Sequence, residues 1–463
     1  MHTQSTLLTL LLTRPTGLKS LKLLLPLTLV LLVACSPQSN DDRRSERSAD
    51  LEVATPESVG MDSARLNRVT EQMQAYVDAG QLSGVVTMAA RRGRIVHAEA
   101  VGYRDIEAND PLETSDIFRI YSMTKPITGV ALMVLYEEGK FRLSDPVSQH
   151  IPEFADLRVA TGVDANGEIL TEEADHPMTV RELMSHTGGL SYGLFSQSAV
   201  DDMYNEVGVL DPNSTLQEMI DKLADIPLRQ QPGSVWHYSV AVDVQGYLVE
   251  KLSGQKFGDF LQQRIFDPLG MVDTDWYVTP EKANRFAQVY SYGENGELVS
   301  GEGFPGSNFS VNPTFQSGGG GLVSTAMDYM RFSQMLLNGG ELNGVRILSP
   351  MTVRLMHRNQ LPAGVPNIGS PGTLFGLDFA ITANPVEAES YSRGEYYWGG
   401  AAGTWFWIDP VEDLVFVGMI QQFGGQRPNV RASSRQAVYQ AITRSQGSRQ
   451  AAAVQTGGRA ARN

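Results

Sequence analysis

Leu66, Val69, Met73 and Val77 recur at the spacing of one helix face, and Asp62 or Ser63 is placed to cap its start. Two apolar runs follow, Gly84 to Ala90 and Ile95 to Gly102. Arg91-Arg92-Gly93-Arg94 joins them, so they read as a hairpin. A second strand pair, Thr404 to Ile408 and Leu414 to Ile420, flanks the turn Asp409-Pro410, and Arg427 to Arg444 then reads as a helix. With strands and helices at both ends, the pattern predicts one antiparallel sheet flanked by N- and C-terminal helices, an α+β fold of mixed α/β class. Residues 150–280 carry mainly helical patterns and read as a region inserted against that sheet. From Ile127 to Leu135 a further helix is apolar nearly all round and ends at Gly139, which predicts a buried central element.

The segments outside this pattern have a different character. Arg14, Lys19 and Lys22 precede a short apolar run, Leu23 to Ala34, that ends at Cys35. Leu32-Val33-Ala34-Cys35 resembles a bacterial lipobox, which predicts a signal peptide over residues 1–35 and lipidation of Cys35. Ser36 next to it resembles an outer-membrane sorting signal, so a periplasm-facing lipoprotein is expected, in contact with membrane through its lipid alone. Residues 36–50 are polar and charged and read as a tether; residues 446–463 read as a disordered tail. The expected globular domain is residues 51–445.

Charge and composition narrow the chemistry. The net charge is −15, which argues against a nucleic-acid partner. Cys35 is the only cysteine, so no intrachain disulfide forms. The seven histidines form neither an HExxH nor a Cys/His cluster, so neither a metal nor another cofactor is expected.

The candidate chemistry begins at Tyr121-Ser122-Met123-Thr124-Lys125-Pro126, at the start of the apolar helix. Pro126 suits a first helical turn. A serine and a lysine three apart share one helix face. The serine hydroxyl needs a base to become a nucleophile, and a lysine can serve if burial lowers its pKa. A largely neutral Lys125 is therefore the expectation. Tyr238, in Trp236-His237-Tyr238-Ser239 before the amphipathic run Val240 to Leu252, could relay protons or simply pack. Trp398-Gly399-Gly400-Ala401-Ala402-Gly403 leads into a strand. Its glycines suggest close approach of a ligand or another backbone, and its N–H groups could complete an oxyanion hole.

Ser122-x-x-Lys125, then Tyr238-Ser239, then Trp398-Gly399-Gly400, are similar in kind and order to the three motifs of class C β-lactamases and related serine hydrolases. Leu183 to Leu190, Phe266 to Met271 and Gly319 to Phe332 extend the resemblance, which runs from about Pro56 to Gln421. It implies the penicillin-recognising, β-lactamase/transpeptidase-like fold and an acyl-enzyme on Ser122. It also implies catalysis by Ser122, Lys125 and Tyr238, and an oxyanion hole from the N–H groups of Ser122 and Ala401. Trp398, Gly399, Gly400 and Val240 would meet the substrate. Two positions depart from the lactamases. Val240 stands where they have an asparagine, and Trp398 where they have lysine or histidine, so polar grips on a β-lactam are lost. The Trp-Gly-Gly form resembles the esterase and acyltransferase branch. The expected partner is a small-molecule ester or amide, with ester hydrolysis favoured. A β-lactamase or D-Ala-type peptidase and a non-catalytic scaffold are the rival readings.

Three other stretches imitate catalytic motifs. Gly189-Leu190-Ser191-Tyr192-Gly193 matches G-x-S-x-G, but a helical run comes before it where that motif needs a strand. His186-Thr187-Gly188 lies out of order and reads as a structural loop. Ser253-Gly254-Gln255-Lys256 reads as a turn, because it contains the glycine that would end its helix. His237, beside Tyr238, could line the pocket, but reads better as a packed or hydrogen-bonded residue.

Overall fold

The computed structural model describes residues 51–301, 303–304 and 307–446. The expected signal peptide, Cys35, the tether and the tail beyond Gln446 lie outside the described residues. Within them, no helix is long and apolar enough to cross a membrane.

The core is one eight-stranded antiparallel sheet. Its strands, in chain order, are β1 (Gly84–Arg91), β2 (Arg94–Asp105), β3 (Asp110–Pro111), β4 (Thr373–Phe375), β5 (Ala380–Thr382), β6 (Tyr396–Gly399), β7 (Trp405–Asp409) and β8 (Leu414–Met419). Their spatial order is β4-β5-β6-β7-β8-β1-β2-β3, so the two ends of the chain meet at its centre. There β1 and β8 run antiparallel, with Val86 opposite Met419 and Ala89 opposite Phe416. The β1–β2 hairpin turns on Arg92 and Gly93, both at positive φ, as a two-residue turn of right-handed strands requires.

Both faces of this sheet are covered, which is why β1, β7 and β8 read as nearly continuous apolar runs. Side chains alternate between two cores. Trp405, Trp407 and Phe416 enter one with Val69, Met73 and Val438; Phe406, Ile408, Val415 and Val417 enter the other with Ile127, Val130 and Met330. Eight of the α-helices, in chain order, are α1 (Arg68–Asp78), α2 (Thr124–Glu137), α3 (Val180–Met184), α4 (Ala199–Glu206), α5 (Leu216–Ala224), α6 (Ala241–Ser253), α7 (Ala326–Leu337) and α8 (Val430–Tyr439). Helices α1 and α8 cover the first face; α2 and α7 belong to the second core. Every residue of α2 from Thr124 to Leu135 is buried.

Two details differ from the sequence pattern. Residues 150–280 hold, besides α3 to α6, an antiparallel ribbon of Arg158–Val163 and Ile169–Glu173, turned by Asp164, whose carboxylate accepts the N–H groups of Asn166 and Glu168. The last helix is shorter than Arg427 to Arg444, because Pro428 precedes it and Asn429 caps it through the N–H of Ala432.

Candidate active site

Tyr121, Ser122 and Met123 form a single tight turn that feeds α2. Tyr121 has φ 42, a left-handed conformation that costs a non-glycine residue of order 1 kcal/mol or more. Edge-on contacts to Phe304, Phe309 and Phe423, with centroids 5.3, 6.0 and 5.6 Å away, hold its ring. The start of α2 is pinned as well: Tyr329 donates to the Met123 carbonyl at 2.9 Å, and the Thr124 hydroxyl accepts the Leu322 N–H at 3.2 Å. Ser122 is thus presented, half-buried, from a fixed backbone.

Lys125 lies one turn further along, 1% exposed. Its ammonium donates to the Gly319 carbonyl at 2.6 Å and to the Tyr192 hydroxyl at 3.4 Å. It sits 5.2 Å from the ring centroid of Tyr192 and 4.6 Å from that of Tyr238. Burial alone favours the neutral amine. The phenol oxygens of Tyr192 and Tyr238 and the Asp243 carboxylate outweigh it and hold Lys125 above the ordinary lysine range. The expectation of a neutral Lys125 is therefore corrected: the same buried setting that removes water supplies acceptors and negative charge.

Tyr238 packs in an aromatic row. Tyr192 stacks on it at 5.5 Å and 25°, Trp236 at 6.1 Å and 22°, and Trp398 leans against it at 5.5 Å. His186 lies beneath, 5.0 Å from the Tyr238 ring. Its Nδ1 faces the N–H and hydroxyl of Ser239 at 3.3 and 3.1 Å, and burial holds it well below the usual histidine range, so it is neutral.

Trp398 and Gly399 end β6, opposite Phe406 and Trp405. Gly400 to Gly403 then form a tight turn. Ala401 and Ser122 line one cavity, and neither N–H is taken by a backbone carbonyl among the described residues. The cavity holds about 370 Å³, and Leu210, Pro212, Trp276, Phe304, Phe309 and Phe315 give it apolar walls. None of its described lining residues carries a charge. Val240 does not reach it; it is fully buried in the main core at the start of α6. Its place as a substrate contact is corrected, because an apolar side chain at that turn packs inward. Trp398, Gly399 and Gly400 also lie outside the cavity lining, with Trp398 backing Tyr238.

The imitating motifs lie elsewhere in role. Ser191 is fully buried, donates to Asp201 and lies 3.3 Å from His237 Nε2. Gly254 has φ 72 and ends α6, so Ser253 to Lys256 is a turn. Sequence reasoning missed Tyr192, Asp243 and Gly319, all grouped around Lys125. For Asp243 a signal was present: an acid between valines in Val240-Ala241-Val242-Asp243-Val244, the apolar start of the amphipathic run.

Comparison with known proteins places these features in a wider set. The Beta-lactamase family matches residues 69–440. Protein Rv1367c of Mycobacterium tuberculosis (strain ATCC 25618 / H37Rv) is 36% identical over 355 residues, which span 74% of this chain and 87% of that protein. Esterase EstB of Burkholderia gladioli is 31% identical over 366 residues, 74% of this chain and 86% of its own. Among solved structures, EstCE1, a hydrolase with promiscuous acyltransferase activity, superposes with TM-score 0.69 at 28% identity, over 81% of this chain and 99% of that one.

Proposed function

Since the chain belongs to the Beta-lactamase family, we propose that it is a carboxylesterase that forms an acyl-enzyme on Ser122 and takes small or lipophilic, uncharged esters. One observation carries this reading. Ser122 and the uncommitted N–H of Ala401 open into a single apolar cavity with no charged lining among the described residues, and Lys125, one helical turn from Ser122, has its ammonium 4.6 Å from the Tyr238 ring. The esterases and hydrolases among its relatives support the same choice.

Attack requires the Lys125–Tyr238 pair to hold one proton fewer than its full complement, with the positive charge on Lys125 and the Tyr238 oxygen as acceptor. The Ser122 Oγ then bonds to the ester carbonyl carbon while its proton passes to Tyr238. The carbonyl oxygen takes the negative charge between the N–H groups of Ser122 and Ala401. Collapse expels the alcohol, which leaves with the proton from Tyr238, and water repeats the sequence to release the acid. A β-lactam or D-Ala peptide carries a carboxylate, and the described cavity offers it no cation.

Hydrolysis of p-nitrophenyl butyrate by the chain and by Ser122→Ala, with nitrocefin in parallel, tests the reading. Ester turnover lost in the variant is the expected result. Nitrocefin cleaved much faster than the ester would overturn the substrate class. Turnover of neither, without acyl-probe labelling of Ser122, would point to a scaffold.

A further inference from the structure

Asp243 stands on α6, fully buried. Its Oδ1 accepts the Ser317 hydroxyl at 2.5 Å and the Gly319 N–H at 3.0 Å. Its Oδ2 is buried without a partner and faces Gly319, where an added Cβ would fall 2.5 Å from it. Gly319 in turn gives its carbonyl to Lys125. One residue therefore joins the carboxylate to the ammonium through its own N–H and C=O, and Ser317 and Gly319 both line the cavity.

A buried ammonium needs an opposite charge as well as acceptors. The groups facing Lys125 are Tyr192 and Tyr238 from the loops, His186 beneath them, Asp243 from α6 and Asp378 from the turn before β5. His186 is neutral and the two tyrosines carry no fixed charge. Among the described residues Asp378 receives the Gln245 amide alone, at 3.1 Å, and burial pushes it well above the carboxylate range, which disfavours its charged form. Burial raises Asp243 as well, but Lys125 and the two donors on its Oδ1, the Ser317 hydroxyl and the Gly319 N–H, pull it back, so of the two carboxyls it is the one held closer to ionisation.

We propose that Asp243 is a positioning residue for Lys125: it anchors the Gly319 peptide that receives the ammonium and supplies the counter-charge that fixes how readily the Lys125–Tyr238 pair gives up its proton. This role rests on the assignment of Ser122, Lys125 and Tyr238 above. It makes the Ser317–Gly321 segment part of the catalytic apparatus as well as a cavity wall.

The pH profile of kcat/KM for p-nitrophenyl butyrate tests it, on the full chain and on D243N and D243E, with melting curves for each. In D243N the loss of negative charge moves the rising limb to lower pH by about one unit or more, with KM within about threefold of the parent. D243E keeps the charge and displaces the anchor, so its limb stays in place while plateau kcat falls. A D243N profile that overlays the parent overturns the proposal. If D243N does not fold, D243E decides: unchanged kcat overturns the proposal, and reduced kcat at an unmoved limb supports it. A Ser122→Ala variant that kept turnover would instead overturn the underlying assignment.

Discussion

Gly400 and Ile120 are in backbone contact: a Cβ on Gly400 would lie 2.4 Å from the Ile120 carbonyl oxygen and 2.2 Å from the Thr404 hydroxyl. Ile120 is two residues before Ser122 and Gly400 one before Ala401. The close approach therefore sets the distance between the two N–H groups assigned to the oxyanion.

Gly400→Ala tests this spacing. The methyl has to displace the turn or the Ile120 segment, which destabilises the fold by about 1–3 kcal/mol. Turnover falls further than stability accounts for, by about 10²- to 10³-fold, as for loss of an oxyanion donor. Thermal melting and ester kinetics on the same sample separate the two effects.

Tyr238→Phe keeps the aromatic row and removes only the hydroxyl. Ester kcat falls by about 10²- to 10⁴-fold with KM little changed, the mark of lost proton transfer. A matching fall in affinity with kcat intact would assign Tyr238 to binding.

Leu210→Trp narrows the apolar cavity from one wall. Octanoate ester turnover drops by about tenfold or more relative to acetate, the usual scale of discrimination by apolar volume. A series of p-nitrophenyl esters from acetate to decanoate reads the shift.

His97 makes stability pH-dependent. It is buried against the Thr87 hydroxyl at 2.7 Å, and burial lowers it from the ordinary 6.5 to about 4. The unfolded chain takes the proton first, so stability present above pH 6.5 is lost as the pH falls towards 4, by roughly 3 kcal/mol from this residue. His97→Gln can keep a hydrogen bond without titrating; its melting temperature declines less between pH 7 and 4 than that of the parent.

How far the sequence carried these conclusions depends on the kind of information each needed. Helix α2, the β1–β2 hairpin and the β7–β8 pair follow from local periodicity and turn chemistry, and their apolar runs reported burial directly. Ser122 and Lys125 are one helical turn apart, so their shared face was also local. The partners of Lys125 were not. Gly319 reaches it from 194 positions away, and the pairing of an amine with one carbonyl leaves no periodic trace. Val240 and Trp398 were expected at the substrate because motif order fixes position and not side-chain direction. The ribbon at 158–173 went unread because its strands are short and mostly exposed, so little apolar alternation marks them.

The arrangement of the central sheet constrains the order in which this protein can become itself. Strand β1 has β2 on one side and β8 on the other, so it is made early and completed late. During synthesis, the first hairpin waits with an open, mainly apolar edge until the residues around Met419 emerge. Such long-range pairing is slow to form and leaves that edge free to join other chains in the meantime. The oxyanion turn between β6 and β7 belongs to the same late-made part, so Ser122 gains its partner Ala401 only when the sheet closes. A truncated product ending before Gly400 would therefore carry the serine and lysine and still lack the means to use them.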